Sequence, residues 1–391
     1  MTHRRLFSFL MSKNRLFIDV NELKFSVCDK KGGYHEQSRR DGTQSCRRSG
    51  LQILQASRNL AELDTLVRHI SDVQLFLYMY LRKEALLSSQ IEGTQCTLED
   101  VLAADVEENV SLDVAEVASY VRAVEYAVSR RRELPLCNRL LREVHRELLN
   151  NARGADKEPG EFRRSQNWIG PAGCSLRDAR YVPPNVEDMG NAMSELERYI
   201  NEDDGTDPLI KAALVHYQFE TIHPFLDGNG RLGRLLILLC LMEWDVLHSP
   251  VLYVSYFLKK NQWEYYGKLS NVRENGNYEQ WILFFLEAIN KSASDAVNTI
   301  FLLKDIYNKN IASIKKCVKC KQKTLDLFTY VNSHPIVTVK SVKEALGIST
   351  GTARICVDNL VSMKILNETT HKTRNRIFAY TEYLNILARN N

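Results

Sequence analysis

Between residues 223 and 234 the chain reads His-Pro-Phe-Leu-Asp-Gly-Asn-Gly-Arg-Leu-Gly-Arg. His223 is the one group in this segment able to accept a proton near neutral pH, which makes it the candidate base. Gly228, Asn229 and Gly230 tolerate unusual backbone angles, so successive N–H groups can turn into one concavity. The helix expected to follow adds its own unpaired N–H groups and the positive end of its dipole. A di- or triphosphate is the ligand that such a loop suits. Arg231 and Arg234, three apart on the first helical turn, are both placed to reach phosphate oxygens. Asp227 at the loop entrance can hold a Mg2+ that bridges those phosphates. Taken singly, the same residues suit a helix-capping histidine and an ordinary Asp-Gly-Asn-Gly turn. It is their joint occurrence that favours a nucleotide site.

These residues need rigid elements on both sides, and the pattern supplies helices. Pro208 suits a first helical turn, and Leu209, Ala212, Ala213, Val215, His216 and Phe219 follow it. Arg231–Trp244 is a very apolar helix whose run Leu235–Met242 is too short for a bilayer and reads as buried core. Upstream, the helical pattern starts near Asn59, with Leu60, Leu63, Leu66, Val67 and Ile70 at spacings of three and four. Val73–Gln90 contains neither Pro nor Gly and stops at Gly93. Further helical stretches cover Val114–Val128, Leu140–Leu149, Val186–Ile200, Phe257–Leu269 and Tyr278–Leu303. The exception is 154–184, rich in Gly and Pro, where Trp168-Ile169 and Tyr181-Val182 flank a turn as the two sides of a β-hairpin.

The pattern His-Pro-Phe-x-Asp-Gly-Asn-Gly-Arg-x-x-Arg resembles the signature of the Fic family at every fixed position. That resemblance implies a protein adenylyltransferase, which moves AMP from ATP onto a Ser, Thr or Tyr hydroxyl of a target protein, itself included, and releases pyrophosphate. It implies that His223 deprotonates the hydroxyl and Asp227 binds Mg2+. The nucleotide set would be Gly228, Asn229, Gly230, Arg231, Gly233 and Arg234, with Arg234 at the γ-phosphate. Tyr266, in Tyr265-Tyr266, resembles the position where relatives set a tyrosine against adenine. Ser88-Ser89-Gln90-Ile91-Glu92-Gly93 resembles the family's inhibitory motif, so Glu92 is expected to pair with Arg234 and occupy the γ-phosphate site. Residues 166–184 resemble the flap that holds the target chain by strand addition. Relatives that phosphorylate resemble a signature with Lys where this chain has Gly230, which disfavours a kinase. AMP removal stays open, because Glu92 could orient a water.

The chain outside this region is read more coarsely. Residues 1–55 carry 11 Lys/Arg against 5 Asp/Glu and read as an atypical, loosely ordered leader, while the remainder carries 41 against 43. Residues 56–130 are expected to form an N-terminal helical segment with the inhibitory motif, and 131–305 the catalytic domain. Residues 318–391 follow the winged-helix order: Lys323–Asn332, Val339–Leu346, a helix capped by Ser349 and running to Met363, then a hairpin around Thr370–Asn375. Its cations, Arg354 and Lys364 with His371, Lys372, Arg374 and Arg376 in the wing, are a modest footprint for DNA. Protein docking or homodimerisation fits that charge pattern better than DNA contact. Nine irregularly spaced cysteines suggest reduced thiols and a cytoplasmic setting. Cys317-Val-Lys-Cys320 has no second pair to complete a zinc site. The expected fold is therefore mainly α, with a hairpin flap and a C-terminal winged helix. The rival reading from another class is a DNA-binding regulator whose ATP-sensing domain does not turn over.

Overall fold

The computed structural model describes residues 36–69, 73–104, 111–150, 152–171, 173–316, 320–370 and 376–389; the side chains of 36–48 and 73–77 lie outside that description. It is mainly helical. At its centre are α7 (Pro208–Ile222) and α8 (Asn229–Glu243), joined by the 223–228 loop. Both carry apolar residues around their whole circumference, and such helices are stable only when enclosed. α7 is buried at nearly every position, and α8 buries the whole run Leu235–Met242, as its sequence required. Enclosing each leucine of that run stabilises the fold by about 1.5–3 kcal/mol.

Around this pair pack α2 (Val73–Ile91), α4 (Leu112–Arg130), α5 (Asn138–Leu149), α6 (Val186–Asn201) and α11 (Tyr278–Ile314). Trp281 on α11 is fully buried and its indole N–H donates to the Ala213 carbonyl of α7 at 2.9 Å. His216 of α7 bonds the Tyr265 hydroxyl of α10 (Gln262–Asn275) at 2.9 Å. α10 and α11 are thus each tied to α7 by a polar bond as well as by apolar area.

Several boundaries differ from the sequence reading. α1 spans Glu36–His69, so the leader expected at 1–55 is corrected from residue 36 onward; residues 1–35 lie outside the described residues. The stretch 36–50 is polar and shows no apolar stripe, whereas Ala56, Leu60, Leu63 and Val67 form the buried face of the same helix along α11. The expected helix Phe257–Leu269 is two helices, α9 (Ser255–Lys260) and α10, separated at Asn261. α3 (Leu98–Ala103) was not anticipated, although Thr97 and Asp100 form a capping box that announces it. α11 continues past Leu303, because Ile306, Asn310 and Ile314 keep the same buried face. The hairpin at 166–184 is reduced to a single antiparallel bridge, Ile169 with Tyr181.

After α11 come α12 (Lys321–Ser333), β1 (Ile336–Thr338), α13 (Val339–Leu346), α14 (Thr350–Ser362), β2 (Asn367–Glu368), β3 (Ile377–Ala379) and α15 (Thr381–Ala388). The sheet order is β1-β3-β2, antiparallel, with Val337 opposite Phe378. Arg376 pairs with Glu368, while His371, Lys372 and Arg374 of the expected wing lie outside the described residues. So does Cys317, and Cys320 is a free thiol. Among the described residues no helix is long and apolar enough to cross a membrane.

Candidate active site

His223 ends α7 in the left-handed region, at φ 50 and ψ 61. Few side chains tolerate that conformation, histidine among them, and it persists only where neighbours hold it. Arg163 and Asn167, at the base of the 166–184 segment, supply the hold. The buried Arg163 donates from Nε to the His223 carbonyl at 3.1 Å, and its backbone N–H bonds the Pro224 carbonyl at 2.9 Å. Asn167 Nδ2 donates to the carbonyls of His223 at 3.1 Å and Phe225 at 2.9 Å. The His223 ring is half-buried, and its Nδ1 is enclosed without a hydrogen-bond partner. Burial pulls this imidazole down to about 4, against the opposing pull of the Glu92 carboxylate. It is therefore neutral at pH 7 and able to take a proton.

Across the mouth of the site, Gly228 caps α8 at φ 77, the one position of Gly228-Asn229-Gly230 that needs the left-handed region. Of the three residues that tolerate unusual angles only Gly228 uses one; Asn229 and Gly230 are helical. The Asn229 side chain is turned inward, accepting from Phe225 N–H at 2.9 Å and donating to Phe225 O at 2.8 Å, so it braces the loop. As the first residues of α8, Asn229, Gly230 and Arg231 carry backbone N–H groups with no carbonyl one turn back, the arrangement that receives anions. A carboxylate already lies there. A Cβ on Gly230 would stand 2.1 Å from Glu92 Oε1.

Glu92, just past the end of α2, accepts from Arg234 Nη2 at 2.7 Å. The same guanidinium donates to Ser88 Oγ at 2.9 Å and to Ser88 O at 2.8 Å. Burial alone would push the Glu92 carboxyl up, but Arg234 more than offsets this and holds it below its ordinary value. Arg234, desolvated yet facing Glu92, is held above its own. The sequence-derived pair therefore meets as expected, and its carboxylate covers the N-terminus of α8.

Arg231 behaves differently from the expectation that its side chain reaches phosphate. It is buried, and its Nη1 pairs with Glu116 Oε1 on α4 at 2.6 Å. Its Nη2 stands 3.4 Å from Asp227 Oδ1. An arginine pointing into the α4 interface leaves only its backbone for an anion, and Glu116 was invisible in the sequence because it lies 115 residues away. Gly233 lies where α8 meets α7. A Cβ there would come within 2.3 Å of Glu220 Oε1, and its carbonyl bonds His216 Nδ1 at 2.8 Å, so it serves the close approach of α7 and α8. The Glu220 carboxyl is pushed up to about 7 by burial, against Arg234, and its Oε1 has no hydrogen-bond partner. Tyr266 is partly exposed beside Tyr265, with Glu92 and Arg234 near enough to act on its hydroxyl.

Asp227 accepts the Gly228 N–H at 2.6 Å, and its other oxygen would lie 2.5 Å from a Cβ on Gly154. Its side chain is 38% exposed. Among the described residues no cluster of three His, Cys, Asp or Glu could hold a metal alone. One open carboxylate beside an anion cradle is what Mg2+ suits, since it keeps several waters and takes its other ligands from phosphate.

His145, on α5, is a further residue that the sequence reading missed. It is buried, stacked on Phe225 at 3.7 Å between centroids. Gly160 N–H donates to its Nδ1 at 2.9 Å, so its Nε2 carries the proton and donates to Asp227 O, also at 2.9 Å. Burial pulls it from 6.5 down to about 4. The unfolded chain then takes a proton that the native ring refuses, so its contribution to stability is complete above pH 6.5 and is lost as the pH falls toward 4. Over that interval the loss is about 3 kcal/mol. Denaturant midpoints of wild type and His145→Gln compared from pH 7 to 4 are expected to converge as pH falls. Parallel curves would mean that the ring is solvated.

Two sequence patterns match this chain. That of the Fic/DOC family N-terminal region covers residues 51–129, and that of the Fic/DOC family covers residues 135–241. Residues 51–129 and 135–241 thus carry Fic/DOC family domains. A solved Fic family protein from Desulfovibrio desulfuricans G20 superposes with a TM-score of 0.55 at 21% identity, covering 84% of this chain and 95% of that one. A Fic domain containing signaling protein from Bacteroides thetaiotaomicron VPI-5482 does so at 0.50 and 20%, covering 62% and 95%. At such identities these likenesses speak for the Fic fold alone. A protein adenylyltransferase Fic from Drosophila yakuba is 32% identical over 152 residues, 38% of this chain. The chain spans 27% of that relative's length.

Proposed function

We propose that this Fic protein transfers AMP from ATP to a Ser, Thr or Tyr hydroxyl of a protein, with release of pyrophosphate, and that Glu92 restrains it. One observation carries the reading. The Glu92 carboxylate bonds Arg234, lies on Gly230 at the start of α8 and acts electrostatically on His223. Arginine, helix N-terminus and imidazole therefore surround one spot, already taken by an anionic group. A triphosphate is the natural competitor for it. With Glu92 displaced, the N–H groups of Asn229, Gly230 and Arg231 would hold the α- and β-phosphates and Arg234 the γ-phosphate. His223 would take the hydroxyl proton as the oxygen bonds the α-phosphorus and the bond to pyrophosphate breaks. Asp227 is the residue to hold Mg2+, which would neutralise phosphate charge. Tyr266 would face the adenine. The name of the Drosophila relatives supports the same reaction.

Residues 320–389 support a winged-helix reading by their element order and β1-β3-β2 sheet. On α14 Arg354 is the only basic side chain, so we favour docking to protein or to a second copy over contact with a duplex.

Incubation with ATP labelled at the α- or the γ-phosphate tests the reaction. Protein-bound label from the α position alone is expected. Label from the γ position would mean a kinase, and no label even in Glu92→Gly would favour a sensor without turnover.

A further inference from the structure

Two opposite charges are sunk between α4 and α8, and the acidic one lies outside the segment that carries the signature. Glu116 is completely buried, and Arg231 is 1% exposed. Carboxylate and guanidinium in such a place are held chiefly by each other, and the 2.6 Å contact is a charge-assisted bond at full strength. The second nitrogen of Arg231 faces Asp227 at 3.4 Å, too far for a good hydrogen bond. Arg231 therefore stands between two carboxylates and gives itself almost wholly to one. Asp227 is left with the Gly228 N–H and an open face. Glu116 Oε2 faces Arg153 at 3.4 Å, and that arginine also reaches the Glu92 carbonyl at 3.3 Å.

We propose that Glu116 is a positioning residue for divalent-cation binding: it draws the Arg231 guanidinium off Asp227 and so keeps that carboxylate available to the metal that accompanies the nucleotide. This rests on the reading of residues 227–234 as a nucleotide site. Without the Glu116 charge, Arg231 keeps a buried cation whose remaining partner is Asp227. The guanidinium closes on Asp227, and the divalent cation must compete with it. Groups one step behind a metal ligand commonly alter its affinity by about 10–100-fold. The same logic fixes the sign for the pair: removing the arginine as well removes the competitor.

The test is direct binding of Mn2+, followed by its electron paramagnetic resonance signal, to full-length protein saturated with α,β-methylene-ATP. All variants carry Glu92→Gly, so that the phosphates can reach the loop. Glu116→Gln is expected to weaken Mn2+ binding at least about tenfold, and Glu116→Gln/Arg231→Met to return it to the parent value. Glu116→Gln at the parent affinity would overturn the proposal, as would a double variant no better than the single one. Should Glu116→Gln not fold, Arg231→Met and the double variant are compared. Equal Mn2+ affinity supports the proposal, and a tenfold loss in the double variant overturns it. A parent that binds no Mn2+ with the nucleotide would instead sink the nucleotide reading.

Discussion

Replacing His223 with alanine is expected to lower AMP transfer by about 10²–10⁴-fold, the range a positioned base contributes, while leaving nucleotide binding intact. The imidazole stands at the mouth of the site with an unpartnered, enclosed Nδ1, and its backbone is fixed by Arg163 and Asn167 rather than by its own ring. The residue sits at φ 50, where alanine costs roughly 1–2 kcal/mol that histidine or asparagine largely avoids. His223→Asn separates the two effects: it should be equally inactive with a melting temperature close to wild type. The pH profile adds a second readout. Burial puts the ring near 4, so the acid limb of kcat/KM should fall well below the ordinary 6.5. An asparagine variant that retains wild-type turnover would end the assignment of His223 as base.

Glu92→Gly is expected to act in the opposite direction. The carboxylate makes a charge-assisted bond to Arg234 and covers Gly230, so on the proposed reading a triphosphate and Glu92 would exclude each other. Such a bond is worth about 1.5–3 kcal/mol, and its loss should raise AMP transfer or self-modification by about 10–100-fold. The cost falls on the apo protein. A buried arginine loses a partner, although Ser88 still holds it through two bonds. The variant should therefore melt earlier than wild type without ATP and gain more from ATP, since ligand binding to the native state alone raises stability. Differential scanning fluorimetry reads both changes. Unchanged transfer in Glu92→Gly would remove the restraint from the account.

Much of this was legible in the chain itself. A proton acceptor, a carboxylate and a glycine loop opening a helix lie within one segment, so local spacing alone pointed to an anion site beside a base. The all-round apolarity of residues 235–242 likewise required a buried helix, because no exposed surface tolerates it. The Glu92–Arg234 contact was anticipated from two motifs, although nothing in their separation of 142 residues dictates a 2.7 Å bond. What sequence could not tell was which polar side chains face the substrate and which face the protein. Arg231 and Arg234 look alike along the chain, yet a carboxylate on α4 claims the first and leaves the second toward the cleft. Gly230 and Gly233 look alike too, but one makes room for a carboxylate over the helix start and the other for Glu220 between two helices. Arg163 and His145 carry no motif at all and emerge as braces only when packing brings them to the loop. Backbone chemistry at a helix start is a local property and can be read locally. The partner of a buried charge is settled by whichever distant element the core sets against it, and only the tertiary structure decides that.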